Sequence, residues 1–206
     1  MKIKVILVDD HAVVRAGFKM LLATDDRIEV IAEAERGEQA IQLYQSMKPD
    51  VMVMDISMPG LGGLEAIRRI CLRDKNAKIL VFSVHNEQAF INQAIKAGAK
   101  GFISKSSAAD TLIDAIQHIF LGRDYIDQDL NGAVDQQRHS SIPDLQVIIN
   151  KFSTREFEIF IGLAKGKTAH KISDELCLSY KTVANYSTAI KKKLKVSTVT
   201  ELTHIA

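Results

Sequence analysis

Cysteine is scarce in this 206-residue chain, with only Cys71 and Cys177, more than a hundred positions apart. Each falls in a helix-like apolar pattern, which suits reduced, buried thiols and excludes the dense disulfide framework of a small secreted domain. Long apolar runs are also missing. No stretch approaches the roughly 20 apolar residues that span a bilayer. The N-terminus passes from a short apolar segment straight into Asp9-Asp10, without a signal-peptide core or small-residue cleavage site. The chain is therefore expected to stay in the cytoplasm and to hold no membrane span. Six histidines are present at no metal-ligand spacing, and each reads as a surface or internally satisfied group. No internal repeat or low-complexity tract interrupts the sequence.

Charge of one sign is lacking overall, at net +2, but its distribution is uneven. Residues 1–123 hold 16 Lys/Arg against 15 Asp/Glu, residues 124–151 hold 2 against 5, and residues 152–206 hold 9 against 5. The positive excess of the last segment is what a nucleic-acid-binding module requires, although many solvated helices share it. The length accommodates two compact domains.

Short β-rich apolar runs alternate with amphipathic segments over the first 123 residues. Five strands are expected at Ile3 to Val8, Ile28 to Ala32, Val51 to Met54, Ile79 to Phe82 and Gly101 to Ile103. Most are continuously apolar, the signature of parallel strands covered on both faces. Helices are expected at about 12–24, 37–48, 64–73, 87–97 and 109–121, several closed by glycine, as at Gly98 and Gly122. The pattern gives an α/β fold, a (βα)5 doubly wound, flavodoxin-like sheet whose functional residues belong at the carboxyl ends of its strands. Residues 124–151 turn polar and read as a linker, with patchy helical periodicity only around Leu145 to Ile149. From Phe152 no strand signal remains. Four short helices at about 154–165, 168–176, 180–194 and 198–205 make residues 152–206 a second, smaller all-α domain.

Three carboxylates close strands of the first domain: Asp9 and Asp10 after the first, Asp55 after the third. A parallel sheet brings them together, and such a cluster repels itself unless a cation neutralises it. Hard oxygen donors beside a phosphate suit Mg2+. The fourth strand ends at Ser83, a hydroxyl able to bond a phosphoryl oxygen, and the fifth leads to Lys105, a point charge able to neutralise one. A single Asp after a strand is ordinarily a turn or cap residue. Five such groups at the ends of four strands around one site are not accounted for that way.

The strings VDDH at 8–11, DISMPGLGG at 55–63, FSVH at 82–85 and GFISK at 101–105 carry a resemblance to response-regulator receivers over about 120 residues. The resemblance implies that Asp55 is the phosphoacceptor, that Asp10, Asp55 and the backbone carbonyl of Ser57 bind Mg2+, and that Asp9 helps through water. It also implies that Ser83 and Phe102 form a switch pair, with Phe102 rotating from solvent toward the core, and that Lys105 binds phosphate. One departure is Ser106, where many receivers have proline.

Residues 152–206 resemble a LuxR-type helix-turn-helix domain, which with the receiver makes the chain similar to the NarL/FixJ family. Ser153 with Glu156 forms a plausible capping box, Cys177-Leu178 the turn, and Ser179 the cap of the helix that would enter a major groove. In that helix Val183, Tyr186, Ile190 and Leu194 share an inward face. Thr182, Asn185, Thr188 and Lys192 share an outward one. Base contacts fall to Asn185 and Thr188, beside Ala184, and phosphate contacts to Lys181, Thr182, Lys191 and Lys192. SMPGLGGLEA, SVHNE and ELTHIA resemble the GacA/UvrY subgroup, which implies a BarA-like hybrid sensor kinase as partner, double-stranded DNA as target and a homodimer. Two other classes stay open on residues alone: a phosphatase-like or phosphorelay enzyme using the acidic cluster, and an interaction module that works without phosphate.

Overall fold

The structure, a computed structural model, describes residues 2–127, 143–198 and 201–202. The chain divides into two compact units, Met1–His139 and Ser140–Ala206. In the first unit the elements run β1 (Ile3–Val8), α1 (Ala12–Leu22), β2 (Ile28–Ala34), α2 (Gly37–Met47), β3 (Val51–Met54), α3 (Gly63–Arg73), β4 (Ile79–Ser83), α4 (Gln88–Ala97), β5 (Gly101–Ser104), α5 (Ala108–Phe120) and β6 (Tyr125–Ile126).

All strand pairs are parallel, in the order β2-β1-β3-β4-β5-β6. Every residue of β3 and β4 is buried, as their unbroken apolar composition requires of strands covered by helices on both sides. Val5, Leu7, Val53, Leu80, Phe82 and Ile103 pack with Leu112, Ala115, Ile116 and Ile119 of α5 into one continuous core. Because strand order reverses between β1 and β3, a crevice opens beyond the carboxyl ends of those two strands. The residues that follow them are Asp9, Asp10 and Asp55.

Two elements fall inside the span read as linker. Tyr125 and Ile126 pair with Gly101 and Phe102 of β5 and add a sixth strand. Two residues between polar flanks are too few to show a period, so only tertiary pairing with the β5 edge creates this strand. Pro143–Asn150 forms α6, with proline at its first position, where a missing N–H costs nothing. β2 and β5 also run further than expected, to Ala34 and Ser104.

The second unit continues with α7 (Thr154–Ala164), α8 (Ala169–Glu175) and α9 (Tyr180–Leu194). All three are capped by hydroxyls. Ser153 Oγ accepts from Glu156 N while Glu156 Oε2 accepts from Ser153 N, a complete capping box. Thr168 and Ser179 cap α8 and α9 through the amides of Lys171 and Thr182. Phe152, Phe157, Ile159, Phe160, Ile172, Val183 and Ile190 are buried together with Leu163. Of the last expected helix, only Glu201 and Leu202 are described, as helical, and the rest of 198–205 beyond Thr198 lies outside the described residues.

The expectation of two buried thiols fails in part. Cys71 is half-buried, and Cys177 is exposed, in the turn between α8 and α9 with φ at 51°. The turn expected at Cys177-Leu178 is present, but it leaves the thiol in solvent instead of covering it.

Candidate functional site: an acidic crevice and a basic helix face

Register brings the crevice together. Val8 lies opposite Met54, and Asp55 N donates to Val8 O at 2.8 Å, so Asp9 and Asp55 emerge side by side. Ser83 lies opposite Ser104, and Lys105 N donates to Ser83 O at 2.7 Å, which starts the lysine side chain from the same rim. Asp9 is fully buried and Asp55 is 1% exposed. Lys105 Nζ donates to Asp9 Oδ2 at 2.6 Å and to Asp55 Oδ2 at 2.7 Å. Its ammonium also lies 4.8 Å from the centre of the Phe82 ring.

Burial raises the Asp55 carboxyl above its ordinary value. The Lys105 ammonium and the Ser57 amide, which donates to Asp55 Oδ1 at 3.1 Å, oppose that rise without cancelling it, and Asp9 adds repulsion. For Lys105 burial works downward, but the bonds to Asp55 and Asp9 outweigh it and hold its pKa above the ordinary lysine value.

Asp10 is partly exposed, yet its Oδ1 is buried and accepts no hydrogen bond of good geometry, although His11 Nδ1 lies 3.0 Å away. Donor atoms from Asp9, Asp10, His11 and Asp55 all fall within 4.8 Å of one another. A buried carboxylate oxygen without a donor, amid other hard oxygens, fits Mg2+.

His11 and Arg15 belong to this site, and neither was singled out by sequence. His11 donates its amide to Asp9 Oδ1 at 2.6 Å, and its ring bridges Asp9 and Asp10. Arg15 is buried and donates to the Asp9 carbonyl at 2.6 Å and to Glu35 at 3.0 Å, fixing the β1–α1 turn. The adjacency Asp9-Asp10-His11 was the only sign available, because Arg15 looks like any surface arginine of an amphipathic helix.

Ser83 is fully buried, and its Oγ accepts from His85 N at 3.1 Å. Phe102 is fully buried too. This departs from the expected solvent-facing start of the switch. Phe102 pairs across β5–β6 with Ile126, and its carbonyl accepts from Asp127 N at 3.1 Å, so the added strand covers this edge. Asp127 in turn accepts a short hydrogen bond from Ser107.

In the second unit the outward face of α9 is Lys181, Asn185, Thr188 and Lys192, all exposed, at spacings of four, three and four. Val183, Ile190 and Leu194 face the core and Tyr186 is half-buried. Ala184 and Lys191 are half-buried beside the stripe. Two hydroxyls are already engaged. Thr182 Oγ1 shares a hydrogen bond with Ser179 Oγ at 2.8 Å, and Thr188 Oγ1 donates to Ala184 O at 3.0 Å. Lys193 points elsewhere, donating to both Glu156 oxygens at 2.7 and 2.8 Å, and ties the end of α9 to the cap of α7.

Residues 5–117 match the response regulator receiver domain, and residues 150–206 match the luxR family of bacterial regulatory proteins. The chain belongs to the NarL/FixJ family of response regulators. It is 38% identical over 202 residues to the transcriptional activator protein ExaE of Pseudomonas putida, covering 98% of this chain and 94% of that protein. To the response regulator UvrY of Escherichia coli K12 it is 38% identical over 207 residues, covering 99% and 93%. To the response regulator GacA of Pseudomonas aeruginosa it is 35% identical over 209 residues, covering 99% and 95%. These matches agree with the GacA/UvrY motifs. Among solved structures, a LuxR-family response regulator from Aurantimonas superposes with a TM-score of 0.65 at 38% identity, over 68% of this chain and all of that one. RcsB of Salmonella enterica serovar Typhimurium, bound to promoter rprA with the phosphomimetic BeF3−, shares the fold at a TM-score of 0.71 and 21% identity, covering 100% of this chain and 98% of RcsB. This response-regulator family acts in transcription. Among the described residues, no helix is long and apolar enough to cross a membrane.

Proposed function

We propose that this response regulator accepts a phosphoryl group on Asp55 from a phosphohistidine of a sensor histidine kinase, and that the modification controls binding of α9 to double-stranded DNA. The observation that carries this reading is the contact of Lys105 Nζ with two buried carboxylates at the carboxyl rim of the sheet.

In the transfer, an Asp55 carboxylate oxygen attacks phosphorus in line, the P–N bond to the donor imidazole breaks, and the imidazole leaves with that electron pair. Lys105 moves its charge from the carboxylates onto the phosphoryl oxygens. Asp9, Asp10, Asp55 and the Ser57 carbonyl would hold Mg2+, which when bound neutralises further phosphoryl charge. Ser83 is the hydroxyl placed to bond a phosphoryl oxygen. Doing so competes with its bond from His85 N and pulls on the β4–α4 loop. Because Phe102 is already inside, this loop carries the switch, with no inward swing of the ring.

On α9, Asn185 is the base reader and Lys181 and Lys192 grip phosphates, while Lys191 and Thr182 flank the groove wall. Thr188 offers its methyl, and Ala184 permits close approach. A BarA-like hybrid kinase is the donor and a homodimer the DNA-bound form. The likeness to GacA and UvrY supports the first, and a structure of two RcsB dimers on two parallel DNAs supports the second.

The test is labelling by acetyl phosphate with and without Mg2+. Asp55 takes label only with the metal, Asp55→Asn takes none while keeping its fold, and labelling shifts the DNA-binding isotherm. Label that persists in Asp55→Asn, or a DNA isotherm indifferent to it, refutes the reading.

A further inference from the structure

We propose that the amino-terminal rim of the receiver sheet, opposite Asp55, binds a small phosphate-bearing polyanion. In a parallel sheet, residues that precede strands gather at one rim just as residues that follow them gather at the other. Here Lys78 precedes β4, Lys100 precedes β5 and Arg123 lies two residues before β6. With Lys75 they line one concave cavity of about 330 Å3, completed by Asn76, Ile119 and Gly122. No acidic residue lines it. Among the described residues none of these four cations forms a salt bridge.

Chain geometry holds the cluster together. Lys100 N donates to Ile79 O at 2.8 Å, Tyr125 N donates to Lys100 O at 3.0 Å, and Met52 N donates to Lys78 O at 2.9 Å, so adjacent strand starts are fixed side by side. Lys78 Nζ is itself pinned, donating to Phe120 O at 2.6 Å and lying over the Phe120 ring. Three flexible cations remain to close on a ligand. Like charges held this near cost energy that an anion relieves, as a cation relieves the acidic crevice at the opposite rim. A monoanion leaves most of that excess uncompensated. An oligophosphate with three or four negative charges matches it.

The strands β4 and β5, of 5 and 4 residues, separate the two rims by roughly 15 Å at about 3.3 Å per residue. The site is therefore distinct from the phosphoacceptor crevice. A second cavity of about 510 Å3 shares Asn76 and Lys78 with it and adds Tyr44, Pro49, Asp50 and Asp74. Tyr44, its hydroxyl donating to Asp74 at 2.8 Å, and the remaining acceptor capacity of the two carboxylates would meet the base and sugar of a nucleotide whose phosphates occupy the basic cleft. Inorganic oligophosphate and nucleoside oligophosphate thus share the recognised chemistry, and experiment separates them.

Isothermal titration of the full chain with tripolyphosphate, and separately with ATP, is done in EDTA so that no metal draws phosphate to Asp55. Saturable one-to-one binding is expected. It weakens at least tenfold in K75Q/K100Q/R123Q and is unchanged in K181Q/K192Q on the DNA-binding helix. Amide shifts of Gly101 and Gly122 in the wild-type chain report the site without any substitution. Equal affinity for both ligands assigns inorganic oligophosphate, and tighter ATP binding that Tyr44→Ala weakens assigns a nucleotide. No saturable binding, undiminished binding in the triple variant, or loss in K181Q/K192Q instead overturns the proposal. So does competition by duplex DNA lost in step with ligand binding, which would make the rim a DNA contact.

Discussion

Replacing Gly63 by alanine tests whether the phosphoacceptor loop is as tightly constrained as the site requires. Gly63 opens α3, and a methyl built on it meets Asp55 O at 2.0 Å, Ile56 Cα at 2.6 Å and the Asp55 carbonyl carbon at 2.9 Å. All three are backbone atoms, so no side chain can turn aside, and the loop after β3 must retreat by roughly 1 Å or more to regain van der Waals distance. Overpacking of this kind costs about 1–3 kcal/mol. For a domain of this size that is on the order of 5–10 °C in melting temperature. The functional cost is larger, because the retreat carries Asp55 away from Lys105, now at 2.7 Å, and from the Ser57 amide at 3.1 Å. A misplacement of about 1 Å typically lowers rate on the order of 100-fold. Acetyl phosphate labelling rates and thermal melts of Gly63→Ala, with Gly17→Ala as a control at a glycine with open space around it, give both numbers. Labelling within twofold of wild type at an unchanged melting temperature would show that the close approach of α3 does not position Asp55.

Three further outcomes follow from the same geometry. Lys105→Met removes the main group opposing burial at Asp55, so labelling falls about 100-fold, the usual cost of losing one preorganised donor. Asp55 titrates above its ordinary 3.8, so its folding penalty is absent below that value and grows as pH rises through the shifted one. Urea midpoints in metal-free buffer should therefore separate wild type from Lys105→Met more at pH 7 than at pH 4, and an equal gap counts against the buried pair. Glu156 is held below its ordinary 4.5 because the bonds from Lys193 and the Ser153 amide outweigh burial. Its contribution is present above that value and is lost as pH falls through the lowered one, about 1 kcal/mol after allowing for the exposure of Lys193. A Glu156→Gln, Lys193→Gln double-mutant cycle measures it, and zero coupling would leave the pair as decoration. Asn185→Ala should cost about 1–3 kcal/mol at one operator position, whereas Lys192→Ala should weaken all sequences alike and reduce the salt slope by about one.

The doubly wound sheet was legible because β3, most of β4 and β1 from Val5 onward are apolar on both faces, and no solvated strand reads that way. The crevice was legible because parallel strands make the residue after each strand a neighbour of the residue after the next. Asp9, Asp55, Ser83 and Lys105 needed only that rule and the strand ends. β6 was not, since its two residues become a strand only by pairing with Gly101 and Phe102. Nor was the buried state of Phe102, which depends on that edge. The exposure of Cys177 was misread because a spacing of apolar residues suggests a shared face but does not say that the turn after the helix is covered.

Parallel strands gather the residues before them as well as the residues after them. Asp9, Asp10, Asp55 and Lys105 follow strands, whereas Lys78, Lys100 and Arg123 precede them. Parallel order converges both sets with equal force. Asp50, before β3, spends its carboxylate on Lys4 N at 2.8 Å. Among the described residues Lys78, Lys100 and Arg123 form no salt bridge, Lys78 Nζ donates instead to Phe120 O at 2.6 Å, and the sheet leaves all three in one cleft. The receiver is consequently polarised along its strands, with buried carboxylates at one end and, at the other, a cleft lined by cations that form no salt bridge among the described residues. A phosphoryl group meets opposite surroundings at the two ends. On the proposed function it needs Lys105 and a metal at the carboxyl rim before it can approach the acids, whereas at the amino rim it meets positive charge directly. The proposed chemistry therefore belongs to the first rim and the proposed binding to the second.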